Sequence, residues 1–123
     1  MTALQEKPRP CAFVMSEANG QRSRGTVTVA SGAGPIEPGT VLGKITASGK
    51  YIASAAGASD GSQTAVAIAL YGCDATAADA PVAAIVRHAE VNAALLIYHA
   101  DRDQAAEKTA ANGALAAVGI IVR

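Results

Sequence analysis

The chain has no tryptophan, one phenylalanine and three tyrosines among 123 residues. Half of it is nevertheless apolar, with aromatics supplying only 3%. A core without large rings has to be filled by aliphatic and small side chains, and alanine provides much of the apolar count. Basic clusters interleaved with aromatics, the usual footprint of a nucleic-acid binder, are missing. Charge is scarce too: charged residues make up 16% of the chain, against about 25% in an average soluble domain. Ten basic and ten acidic residues cancel, so no net field draws in nucleic acid or an anionic membrane. A surface so poor in charge is expected to be partly covered by another subunit or partner. No apolar run approaches the roughly 18 residues of a membrane-spanning helix. In the opening MTALQEKPRPCAFVMSEANG, charges and prolines interrupt any signal-peptide core. Cys11 and Cys73 are too few and too unpatterned for a disulfide framework or a thiolate metal site. Reduced thiols in a protein made in a cytoplasm are expected.

Catalytic signatures are equally sparse. Gly57–Gly61 reads GASDG, which has the GxSxG spacing, but its Asp-Gly between strands marks a turn and not a nucleophile elbow; the chain has no HExxH and no GxxxxGK[ST] phosphate loop. Of the two histidines, His88 sits in RHAE and His99 in YHADRD. His99, Asp101 and Asp103 alternate, so on a strand they would share a face and offer nitrogen and oxygen ligands to a metal. Asp101 is better used as a helix N-cap, where its oxygen satisfies an orphan backbone N–H, and no metal is expected. Lys44, in PGTVLGKITASGKY, raises a different chemistry. Domains that carry a covalent prosthetic group hold the modified lysine at a hairpin tip. Here the tip is Ser48–Gly49, and Lys44 lies before it, inside a strand. The expectation is scaffold and no cofactor. A small carrier or ligand-binding β domain with a modified Lys44 stands as the alternative.

What is present reads mostly as strand. Residues 1–24 contain Pro8, Pro10 and Gly20 with scattered Lys7, Arg9, Arg22 and Arg24, interrupted by the apolar run Cys11–Met15. Prolines forbid a helix there, so an extended arm is expected, able to add as a strand to a partner's sheet edge. The body, residues 25–123, opens with GTVTVASG, which alternates Val27 and Val29 against Thr26 and Thr28. Thr40–Ala47 and Lys50–Ala53 read as a hairpin. In Thr64–Tyr71, Thr64, Val66, Ile68 and Leu70 share one face, and Ala65, Ala67, Ala69 and Tyr71 the other. The alanine face requires a close neighbour. Pro81–Val91 reads as one further strand, with Arg87 and His88 on opposite sides. DRDQAAEKTAANGALAAVG has helical spacing, with Asp101 and Gln104 as a capping box and Gly119 as the C-terminal cap. Its expected apolar stripe is Ala106, Ala110, Ala114, Ala117 and Val118, weakened by Gly113. GIIVR then returns to a sheet. These elements make a β-rich single domain with one helix near its end.

TVTVASG, PGTVLGKITASGKY, DGSQTAVAIALYGCDATAADAPVAAIVRHAEVNAALLIY and LAAVGIIVR, in this order and spacing, resemble the head decoration protein D family of tailed bacteriophages. The resemblance spans roughly residues 16–123. It implies a mainly β fold of the β-clip type, a bent ribbon with an incomplete barrel. It also implies a homotrimer, with no enzymatic activity, on the outside of the expanded head. There it would sit at three-fold and quasi-three-fold positions and cement the major capsid protein against packaged DNA. On that reading the N-terminal arm pairs with the capsid, and the expected contacts are Phe13, Val14, Met15, Ser16, Ser23 and Arg24. Arg87, Glu90 and Tyr98 are the expected trimer contacts. The chain departs from the lambda protein in its longer N-terminal segment and its C-terminal helix.

Overall fold

The computed structural model describes residues 6–123. Ten strands and one α-helix follow in the order β1 (Val14–Glu17), β2 (Arg24–Val29), β3 (Gly34–Ile36), β4 (Val41–Lys44), β5 (Tyr51–Ala53), β6 (Ala65–Ala69), β7 (Cys73–Ala75), β8 (Ala80–Ile85), β9 (Ala89–Val91), α1 (Ala105–Ala117) and β10 (Ile120–Val122). A short 3-10 turn, Ala93–Leu95, precedes the helix. The protein is mainly β with one helix near its C-terminus, as the sequence pattern implies.

Strands β2-β5-β4-β6-β8 close into a barrel. The closure is uneven. β2 pairs with β8 at all six of its residues, whereas β2 meets β5 through the single pair Val29–Tyr51. A five-stranded barrel encloses little volume, so its lining must be small. Ala67, Ala69 and Ala84 fill it together with Val27, Val29, Leu42 and Val82. This interior is the close neighbour that the alanine face of β6 requires.

Ile68 and Leu70 point the other way, into a second core built from Phe13, Val41, Ile85, Val91, Leu115 and Ile120. Strict alternation fails at one point. Leu42 pairs with Ala67 but Gly43 with Ala65, a register shift that places Val66 in a bulge. An extra residue reverses facing beyond it. Ala65 therefore joins Ile68 in the second core instead of lying with Ala67. Gly43 is required here by contact: a Cβ on it would lie 1.9 Å from the Ser62 carbonyl oxygen.

The stretch Pro81–Val91 is two strands, not one. His88 has φ +51°, a left-handed conformation that ends β8 and redirects the chain into β9. Arg87 and His88 are both exposed in that corner. β9 is the centre of a three-stranded sheet, with β1 antiparallel on one side and β10 parallel on the other.

The helix begins after Gln104, which makes no side-chain cap. Asp101 is engaged elsewhere: its carboxylate accepts the N–H of Ala56 at 2.9 Å and of Gly57 at 3.0 Å. The buried helix face is Ala111 and Leu115, with Ala114 and Val118 beside them. Ala106, Ala110 and Ala117 of the expected stripe are exposed. Leu115 is the one large apolar side chain of the helix, and its burial sets the inward direction. Gly113 lies within the unbroken helix, on its exposed side. Gly119, at φ +85°, donates to the Ala116 carbonyl and turns the chain into β10.

Candidate assembly surface

The N-terminal segment is held on the body from Cys11 onward. The Cys11 N–H donates to Leu70 O at 3.0 Å, and the Asn92 N–H donates to Phe13 O at 2.8 Å. Phe13 is 1% exposed and fills the second core. Gly39 lies against the turn beside this crossing, since a Cβ there would meet Leu95 O at 2.6 Å. β1 then pairs with β9, so the strand expected to add to a partner's sheet is here paired within its own chain. Val14 faces Val91 and Ser16 faces Glu90, which leaves Met15 as an unpaired bulge residue at 59% exposure. Among the described residues the outer edge of β1 carries no neighbour in its sheet.

Ser16 donates to Glu90 Oε2 at 2.9 Å, and Arg123 donates to Glu90 Oε1 at 2.6 Å. This row crosses all three strands and holds the Glu90 carboxyl below the ordinary glutamate range, the Arg123 hydrogen bond first. An expected capsid contact, Ser16, thus touches an expected trimer contact, Glu90. Farther along, Arg24 grips Glu17 with two N–H···O bonds of 2.9 and 2.7 Å. The bond from Arg24 lowers the Glu17 carboxyl below its usual value. The pair walls a groove of about 480 Å³ lined also by Gly20, Gln21, Thr26 and Ala83.

Ser23 is fully buried. Its Oγ accepts the Ala18 N–H at 2.9 Å and donates to the His88 carbonyl at 2.7 Å. Phe13 and Ser23 therefore present no surface in this conformation, and they shape the region through what they hold. Val14, Met15, Ser16 and Arg24 lie at or near the surface. Arg87 is exposed beside this region, with Nη1 donating to Arg22 O at 2.7 Å. Tyr98 lies elsewhere: its hydroxyl bonds Asn112 of the helix at 2.6 Å, and the Lys108 ammonium sits 5.7 Å from the ring centroid. Burial pushes its phenol pKa up.

The remaining candidates disperse. Lys44 is exposed at the end of β4 before the turn, where the Gly49 N–H donates to Ile45 O at 2.8 Å. His99 Nδ1 lies 3.1 Å from Asp101 Oδ1, but both Asp101 oxygens already accept backbone N–H groups. Among the described residues no three His, Cys, Asp or Glu side chains gather where a metal could bind. Both cysteines are free thiols, and burial raises that of Cys73.

Sequence reasoning missed Arg102. It is 3% exposed and has no carboxylate partner among the described residues. Instead it donates to Ser54 O, Gln63 O, Glu107 O and Ser54 Oγ. A loop arginine in DRD gives no sign that its partners are distant carbonyls. The network fastens the chain ahead of α1 onto the loop between β5 and β6.

The surface is thus an edge strand, a row of exposed polar bonds and two stitched loops. No curated protein matches the chain. A family model described as bacteriophage lambda head decoration protein D matches residues 3–120. That span includes both cores, the barrel, β1 and β9, and the N-terminal crossing, so the chain belongs to the bacteriophage lambda head decoration protein D family.

Proposed function

We propose that this protein is a capsid cement. On this reading it is a homotrimer that binds the outer surface of the expanded phage head at three-fold and quasi-three-fold sites and stabilises it against internal DNA pressure. Membership of the decoration family carries the role on the phage head. The finer reading is supported by the open outer edge of β1 and the exposed Met15 beside it, which together offer main-chain groups and an apolar contact to a capsid strand. Val14, Met15, Ser16 and Arg24 are the proposed capsid contacts. Three copies per trimer would let weak single contacts sum to tight binding. Binding the expanded lattice and not its separated subunits stabilises that lattice by mass action. The role needs no catalysis, and assembly would take place in the host cytoplasm.

The test is addition of the protein to undecorated expanded heads, read by electron microscopy and by the heads' survival on heating. Density at the three-fold positions with raised survival is expected. Heads that stay bare and equally fragile exclude the role. Removing residues 1–9 leaves Phe13 and β1 in place, so this truncation isolates the leading segment from the fold: a folded protein with weakened head binding is expected.

A further inference from the structure

Two exposed arginines lie together in adjoining loops, and among the described residues neither meets a carboxylate. Arg22 is in the loop between β1 and β2, and Arg87 in the corner between β8 and β9. The Arg87 guanidinium rests on the Arg22 carbonyl at 2.7 Å. Ser23, between them and buried, bonds the His88 carbonyl, and the Val86 N–H donates to Ser23 O at 2.9 Å. The nearby carboxylates are already committed, Glu17 to Arg24 and Glu90 to Arg123. In a chain of zero net charge this leaves a rigid local excess of positive charge.

We infer that the Arg22–Arg87 platform docks a carboxylate-bearing surface of the phage head's capsid subunit. This rests on the cement reading above. Exposed guanidiniums without counter-ions gain most from a partner that supplies them. The two loops are stitched by main-chain and serine bonds, so little order has to be imposed on binding. A three-fold axis through the platform would crowd six guanidiniums together, which favours a head contact over a place on that axis. A second copy is the competing occupant, since Glu37 and Asp103 are exposed and make no ion pair among the described residues, and the oligomer size of the variants distinguishes it. Asp60 and Asp74 are turned onto their own loops, where each accepts from Ser62 and Thr76 respectively. The platform also adjoins β1, the edge strand proposed to meet the same capsid subunit.

The experiment compares wild type, R22E, R22E/R87E and R22K/R87K on DNA-free expanded heads at about 50 and 200 mM salt. The Arg22 side chain donates no hydrogen bond among the described residues, so R22E keeps the comparison valid if the double variant fails to fold. Expected is binding weakened about tenfold in R22E/R87E at low salt, with a flatter salt dependence than wild type. R22K/R87K should stay within a few-fold of wild type, since two point charges retain the attraction. Unchanged affinity and salt dependence in R22E overturn the inference. So does an altered oligomer size in gel filtration, which would assign the arginines to contacts between copies, or a mobility shift of free DNA lost in the variants. A wild type that ignores the heads at both salts overturns the cement reading itself, and this one with it.

Discussion

The buried hydroxyl of Ser23 bonds the carbonyl of His88 at 2.7 Å across 65 positions of sequence. It joins the loop after β1 to the corner that His88 makes with a positive φ. Ser23→Ala removes this donor and the acceptor for Ala18, taking a partner from two part-buried backbone groups. A loss of about 2 kcal/mol is expected from denaturant unfolding. A midpoint equal to that of wild type would show that water takes over both bonds.

Arg102 makes a larger demand. Arg102→Met keeps most of the bulk but strips hydrogen bonds from Ser54 O, Gln63 O and Glu107 O. About 3 kcal/mol of stability should be lost. Arg102→Lys should fall between, because one ammonium cannot reach all the acceptors. Thermal melts of the three proteins rank them.

Two glycines predict opposite signs. Gly43→Ala forces a methyl into the Ser62 carbonyl at 1.9 Å, and the variant should be destabilised by more than about 4 kcal/mol. Gly113→Ala meets nothing within 4 Å on the exposed side of the helix. It should be stabilised by about 1 kcal/mol through helix propensity. Parallel urea titrations check both.

Stability should decline in acid. The Arg24 hydrogen bond lowers the Glu17 carboxyl, and the Gly57 and Ala56 N–H groups lower that of Asp101. Each folded value lies below the unfolded one near 4. Their contribution is therefore full above the unfolded value and is lost as pH falls through the folded value. The urea midpoint should hold from about pH 7 to 5 and then fall, and Asp101→Asn should flatten the fall.

Much of the fold was legible where residues repeat a simple pattern. The alternation in Thr26–Val29 and the turn around Ser48–Gly49 announce β2 and the β4–β5 hairpin. Gly119 announces the helix end because only a left-handed residue closes it comfortably. The misreadings share a cause. Val66 bulges opposite Gly43, where the Ser62 carbonyl packs against the strand, and Pro81–Val91 bends because His88 takes a conformation no pattern marks. Asp101 leaves the helix for Ala56 and Gly57, which lie far back in sequence. The local structure of the candidate assembly surface was legible in part. The run Cys11–Met15 shows as a strand, of which Val14 and Met15 lie in β1, but Phe13 looks available only until the second core is seen to need it. Arg22 and Arg87 come together through a carbonyl bond, and pairings of that kind carry no residue signature.

The uneven closure of the barrel has a mechanical meaning. With one residue pair joining β2 to β5 and six joining β2 to β8, the ring behaves as a curled ribbon with a single fastening. Tension applied across β2 and β5 would part that clasp first and let the ribbon uncurl by a small angle. The long β2–β8 border would stay zipped. The molecule can therefore yield elastically in one direction while remaining stiff in the others.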